Sequence, residues 1–266
     1  MSLVHRLVGG SMQMAVCQLA EGQTVFCEAG KFLWKTTNVA METRLTRPVG
    51  SGGEGAVAAA GGLLQKALDV GKRVLAGESL AFQYYTARQG SGLVSFAGVL
   101  PGEMRALELD GTRGWYAEKD AFVAAESSVN FDIAFSGLRA GTKGGEGFVL
   151  QKFSGHGTVL IAGAGNFIEL NPARYGGKIQ VDTGCVVAFE ETVQYGVERV
   201  GQLGVQGAMN AMFGGEGLNL ATLEGDGLVI LQSMTIEGLA KALAKNMGAG
   251  DDKKGPLGGL LSGSQG

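Results

Sequence analysis

Three times along the chain a Gly-Glu pair opens a short apolar stretch that closes on Gly-x-Gly, and this recurrence restricts the fold to a tandem of similar units. The clearest copy is Gly145 to Gly157, which reads Gly-Glu-Gly-Phe-Val-Leu-Gln-Lys-Phe-Ser-Gly-His-Gly. Gly215 to Gly227 repeats it as Gly-Glu-Gly-Leu-Asn-Leu-Ala-Thr-Leu-Glu-Gly-Asp-Gly, and a copy three residues longer runs from Gly77 to Gly92. The copies start at positions 77, 145 and 215, so they lie 68 and then 70 residues apart.

Within each copy apolar residues alternate, as in Phe148, Leu150 and Phe153 or Leu218, Leu220 and Leu223, with one slip of phase where a bulge fits. Behind the Gly-x-Gly another strand-like run follows: Leu93 to Phe96, Thr158 to Ile161, Leu228 to Leu231. Glycine enters positive φ without a Cβ clash, so the pattern predicts a β-hairpin in each copy. Many tight turns also explain the composition. Glycine makes up 47 of 266 residues, about 18%, against a usual share of about 7%, with 4 prolines and no collagen period.

A hydrophobic content of 45% with 18% charged residues is that of a globular chain with a sizeable core. No run approaches the roughly 18 apolar residues that span a bilayer. The N-terminus lacks a charged segment leading into an apolar one, so the expected location is cytoplasmic. Cys17, Cys27 and Cys185 sit in apolar strands and suit reduced, buried thiols; Cys17 and Cys27 flank Glu21-Gly22 and could face each other across a hairpin.

Along the chain, Met12 to Leu19 and Thr24 to Leu33 predict a first hairpin. Residues 47–76 form an insertion, Gly/Ser/Ala-rich and then helical in spacing at Leu63, Leu64, Ala67 and Leu68. Trp115 to Phe131 can be laid without gaps on Ile179 to Tyr195, matching Val123 with Val187, Ala124 with Ala188, Glu126 with Glu190 and Val129 with Val193. Residues 24–33 echo this more weakly, with Val25 and Glu28 in the places of Val123 and Glu126. The expectation is one β domain over 1–248, with units of about 77–140 and 145–205, and a third made of 215–234 completed by 12–45. The two ends of the chain would then meet and remove exposed strand edges. Thr235 is placed to cap a C-terminal helix whose apolar face, Ile236, Leu239, Ala240, Leu243 and Met247, should dock on the β body, and 249–266 reads as a flexible tail.

The ordered set Leu19-Ala-Glu-Gly22, Glu28-Ala-Gly30, Gly77-Glu-Ser-Leu80, Leu100-Pro-Gly102, Gly145-Glu-Gly-Phe148, Gly155-His-Gly157, Val181-Asp-Thr-Gly184 and Gly215-Glu-Gly-Leu218 resembles the altered-inheritance-of-mitochondria 24 (AIM24, DUF124) family over about residues 3–245. The resemblance implies an all-β fold of the type placed with the trp RNA-binding attenuation protein, TRAP-like or double-stranded β-helix-like. Three similar antiparallel units would surround a pseudo-threefold axis, with a short inserted helix and a C-terminal one. Eukaryotic members are mitochondrial, and the family supplies no catalytic residues to transfer.

Candidate chemistry is sparse. A cupin-like metal centre needs clustered histidines, whereas the chain has His5 and His156, far apart, the latter in a turn whose counterparts are Ser91 and Asp226. Glu78, Glu146 and Glu216 recur with the repeat and could form a three-carboxylate cation site at an axis, or simply serve their turns. Glu28, Glu126 and Glu190 read as a solvent-facing position. No nucleophile elbow, phosphate loop or paired Cys-x-x-Cys occurs, and Gly155-His-Gly157 and Gly163-Ala-Gly165 lack the strand-to-helix context of a dinucleotide fingerprint. A net charge of −3, with Arg139 and Arg199 as an incomplete echo, argues against nucleic acid. The sequence therefore predicts a non-enzymatic scaffold or binding module without cofactor, able to form a homo-oligomer. The competing reading is a small-molecule or metal-ion binding protein or enzyme with a pocket near the axis or under the 47–76 insertion.

Overall fold

The computed structural model describes residues 2–44, 81–135, 149–199 and 219–246. Among the described residues the chain is all-β, with one C-terminal α-helix and three short 3-10 turns. An opening strand, β1 (Val4–Val8), pairs with the first strand of the repeat. The strands after it are β2 (Met14–Leu19), β3 (Thr24–Glu28), β4 (Phe32–Lys35), β5 (Val39–Arg44), β6 (Phe82–Ala87) and β7 (Gly92–Ala97). Next come β8 (Met104–Asp110), β9 (Trp115–Glu118), β10 (Phe122–Glu126), β11 (Val129–Phe135) and the long β12 (Val149–Ala162). The last are β13 (Phe167–Leu170), β14 (Lys178–Asp182), β15 (Val186–Glu190), β16 (Gln194–Arg199), β17 (Asn219–Glu224) and β18 (Val229–Gln232).

One pairing scheme occurs three times. β7 lies between β2 and β4, and β6 between β3 and β5. The C-terminal half of β12 lies between β8 and β10, and its N-terminal half between β9 and β11. β18 lies between β13 and β15, and β17 between β14 and β16. Even the irregularity is repeated: the register slips by one residue at Leu33, Val123 and Val187, a bulge at the same place in each unit.

This pairing corrects the sequence reading in three respects. First, the Gly-x-Gly segments do not join paired strands. β6 and β7, and likewise β17 and β18, enter different sheets, and β12 passes through Gly155-His-Gly157 unbroken. Met12 to Leu19 and Thr24 to Leu33 fail as a hairpin for the same reason: β2 pairs with β1 and β7, β3 with β6 and β10. The strands on either side of these turns thus enter different sheets, whereas β1 with β2, β5 with β6, β11 with β12 and β16 with β17 are consecutive and paired. Cys17 and Cys27 are free thiols buried in the shared core. Second, each unit is contiguous, running over about 14–97, 104–162 and 167–232. The strands at 215–234 are completed by those just before them, not by 12–45. A tandem repeat gives the same string whichever point is taken as its start, and only the pairing fixes the phase. Third, Glu28 stands in the place of Glu118, since β3 corresponds to β9 and not to β10.

Units are joined by strand pairs of one kind. β3 pairs with β10 through Cys27↔Ala124 and Phe26↔Ala125, and β9 pairs with β15 through Ala117↔Ala188 and Tyr116↔Phe189. The third pair of this kind, β14 with β4, is not hydrogen-bonded among the described residues. This leaves β4 an edge strand, and Leu33 and Trp34 upon it are 48% and 41% exposed, whereas Ala124 and Ala188 in the corresponding strands are buried. The interior is aromatic where the first two units meet, with Phe26, Phe82, Phe122, Phe131 and Phe153 in mutual ring contact.

Glu126 and Glu190 do not mark a solvent face. Glu126 is buried, and its Oε2 accepts the Thr158 amide at 2.8 Å and the Leu3 amide at 3.3 Å, while Oε1 accepts from Gln23 Nε2 at 2.9 Å. Glu190 Oε2 accepts the Leu228 amide at 2.8 Å, and in the first unit Thr36 Oγ1 accepts the Leu93 amide at 3.0 Å. Each side chain holds the amide that follows the last glycine of Gly-x-Gly. That glycine is required by space: a Cβ would come within 2.4 Å of Val39 Cγ2 at Gly92, 2.9 Å of Ser128 Oγ at Gly157 and 2.3 Å of Thr192 Oγ1 at Gly227.

The C-terminal helix, α1 (Ile236–Asn246), starts as the sequence predicts, with Thr235 Oγ1 accepting the Gly238 amide at 3.0 Å. Its apolar face is not docked along its length, for Leu239 is half-buried while Ile236 and Leu243 are each 51% exposed. The 47–76 insertion with its short helix and the 249–266 tail lie outside the described residues. Replacing Glu126 by Ala strands buried amides, so urea denaturation should show a loss of about 1–3 kcal/mol. Gly157→Ala should lose about as much from backbone strain alone, since Gly157 has φ +131°.

Candidate functional site

Of the carboxylates singled out by the repeat, Glu78, Glu146 and Glu216 lie outside the described residues. His5 and His156 are not brought together. His5 on β1 pairs with Cys17 on β2 and its Nδ1 sits 3.1 Å from the Leu3 carbonyl oxygen, while His156 on β12 lies opposite Asp110 on β8. Among the described residues no group of three or more His, Cys, Asp or Glu side chains is arranged to hold a metal ion. The core thiols are poor nucleophiles, because burial pushes both Cys17 and Cys27 up to about 12.

What the fold does assemble is a cavity of about 300 Å³ to which all three units contribute. The first unit and the segment after it give Lys31, Val99 and Leu100; the second gives Glu118, Asp120, Ala121 and Ala162; the third gives Val186, Val187 and Gln232, with Ile236 from α1 at the rim. Lys31 belongs to the β3–β4 corner, and Ala121 and Cys185 hold the corresponding places in the β9–β10 and β14–β15 corners. The three corners hold equivalent places but not one geometry: the first turns at Gly30, with φ +90°, while the other two are short 3-10 turns, in which Glu118 Oε2 accepts the Asp120 amide at 2.7 Å and Asp182 Oδ1 the Gly184 amide at 2.9 Å. Val187 reaches the cavity at the bulge, where the slip in register turns an extra residue off the ladder.

Lys31 is 6% exposed, and its Nζ donates to the Asp120 main-chain oxygen at 3.1 Å. Burial lowers its pKa below the ordinary lysine value, with Glu28, Asp120 and Glu118 pulling it back up. Glu118, half-buried in the same wall, is pushed up to about 7, first by burial and then by the charge of Asp120. The result is an amine and a carboxyl group that both change protonation more readily than usual, set among aliphatic side chains. Sequence reasoning missed Lys31 because it departs from the repeat: a lone lysine in a Gly-containing turn carries no signal until the other two corners are seen to close over it.

A model of the AIM24 family, described as mitochondrial biogenesis AIM24, matches residues 5–234. The chain belongs to the AIM24 family. The crystal structure of protein SPYM3_0169 from Streptococcus pyogenes is similar in fold, with a TM-score of 0.69 at 23% identity over 91% of this chain and 99% of that one. No curated protein matches the AIM24-family chain. Among the described residues no helix is long and apolar enough to cross a membrane.

The raised Glu118 fixes the sign of a pH effect. The folded chain keeps a proton on this carboxyl that the unfolded chain releases at ordinary carboxylate pH. The stabilisation is therefore present in acid and is lost as pH rises through about 7. Lys31 acts in the opposite sense, its folded-state penalty easing as pH rises towards the ordinary lysine value of 10.5. Melting curves taken across this range should show Tm falling towards pH 7 in the wild type, with a flatter profile for Glu118→Gln.

Proposed function

We propose that this AIM24-family chain is a non-enzymatic β scaffold that acts as a binding module for a small molecule, held in the cavity where its three units meet. The observation that carries this reading is the buried Lys31 amine, with Glu118 and Asp120 beside it, in a cavity whose other walls are largely aliphatic. The polar groups at the equivalent places after each bulge are engaged in the architecture: Thr36, Glu126 and Glu190 each hold a strand amide. The thrice-repeated pairing supports placing the cavity at one end of a pseudo-threefold axis, where equivalent corners converge. A cytoplasmic location accords with the sequence, and the net charge of −3 weighs against RNA as the partner.

Self-association is the second element of the reading, favoured by a specific observation. Among the described residues β4 and β14 are edge strands of the kind that the other units cover, and the pattern set by the two existing junctions would put Trp34 opposite Val181 and Lys35 opposite Gln180. An exposed edge bearing Leu33 and Trp34 invites a second copy. Native mass spectrometry of the purified full chain tests both elements at once. The expected spectrum shows more than one copy and a retained small organic molecule; a bare monomer carrying a metal ion overturns the proposal.

A further inference from the structure

A binding module needs a ligand, and the ligand class inferred from this cavity rests on the binding-module reading. The decisive group is again Lys31. An ammonium carries three donors, and among the described residues the Lys31 Nζ spends one on the Asp120 carbonyl oxygen. Two remain, on a buried side chain in a cavity that Glu118 and Asp120 also line, its other walls being largely Leu100, Ala162, Val186 and Val187, with the exposed Val99 and Ile236 at its mouth. A buried cation with unfilled donors is strongly unfavourable unless an acceptor arrives with the ligand. One ammonium offers one charge and two bonds, which matches a carboxylate; a phosphate dianion calls for more donors than this corner supplies. Apart from Lys31, Glu118, Asp120 and Gln232 the walls are largely aliphatic, and the volume of about 300 Å³ is at the small end of ligand pockets.

We propose that the cavity binds a short- to medium-chain aliphatic monocarboxylate, its carboxylate on the Lys31 ammonium and its chain along Val99, Leu100, Val186, Val187 and Ile236. The other charged groups that bear on the site are Glu28 behind Lys31 on β3, and Glu118, Lys119 and Asp120 on β9 and the turn after it. The faces supplied by β15, β18 and α1 bring aliphatic groups and Gln232, whose amide is engaged by the Ala164 amide and the Gly184 carbonyl. Glu118 sets the pH response. Protonated, it donates an O–H to the second carboxylate oxygen of the ligand; ionised, it repels the ligand. Binding is therefore tighter on the acid side of about 7.

Octanoate, octanol and octylamine, which differ in head group alone, test this by isothermal titration calorimetry on the full chain at about pH 6 and about pH 8, either side of the Glu118 value. Octanoate should bind about tenfold or more tightly than octanol, and octylamine least of the three. Lys31→Met should weaken octanoate by about tenfold or more while leaving octanol nearly unchanged, the octanol arm showing that the cavity has survived the substitution. Glu118→Gln should keep octanoate binding and abolish its pH dependence. Octanol or octylamine binding as tightly as octanoate, or an unaltered octanoate affinity in Lys31→Met, overturns the assignment of ligand class and leaves the binding module standing. Failure of all three compounds to bind the wild type overturns both.

Discussion

The structure depends on a small, repeated arrangement: a side-chain oxygen that takes the first amide after a glycine too crowded to be any other residue. At Leu93, Thr158 and Leu228 the chain leaves one sheet and enters the next, so the amide there has lost its ladder partner and must find another. Thr36, Glu126 and Glu190 supply it from the strand beside the turn. Glycine lets that strand approach, and the approach brings the acceptor within reach, so neither works without the other. In the middle unit the same carboxylate also receives Leu3 and Gln23. One buried carboxyl group thus ties the N-terminal segment and the β2–β3 turn to the second unit through hydrogen bonds.

How much of this is legible in the sequence depends on what a repeat can encode. The gapless match of Trp115 to Phe131 with Ile179 to Tyr195 identifies structurally equivalent strands, and Val123, Ala124 and Glu126 stand where Val187, Ala188 and Glu190 stand, down to the bulge. Thr235 announces the helix by its chemistry alone. Pairing is another matter. Alternation in Thr24 to Leu33 says that a strand has an inside, not which neighbour completes its ladder, and a strand that turns through Gly-x-Gly carries the same letters whether it pairs with its successor or packs against it. The phase of the tandem is hidden for a related reason, because period survives any choice of starting point.

The candidate site is illegible in a different way. Sequence reasoning looks for residues that recur, so it selects Glu78, Glu146 and Glu216 and passes over Lys31, which recurs nowhere. Yet a cavity to which three similarly paired units contribute gains chemical direction only where those units differ. Lys31 against Ala121 and Cys185 is that difference, and the acidic pair Glu118 and Asp120 lies in the next corner alone. The family match and the streptococcal structure agree with the fold; the chemistry is to be read from these few departures from regularity.

The unbroken β12 has a mechanical consequence. Its first half is stitched between β9 and β11 and its second between β8 and β10, with no loop between them to absorb slack. Tension on either sheet is handed directly to the other, so the central portion of the molecule must let go all at once, while the outer portions, whose corresponding strands are divided, are free to peel away in stages.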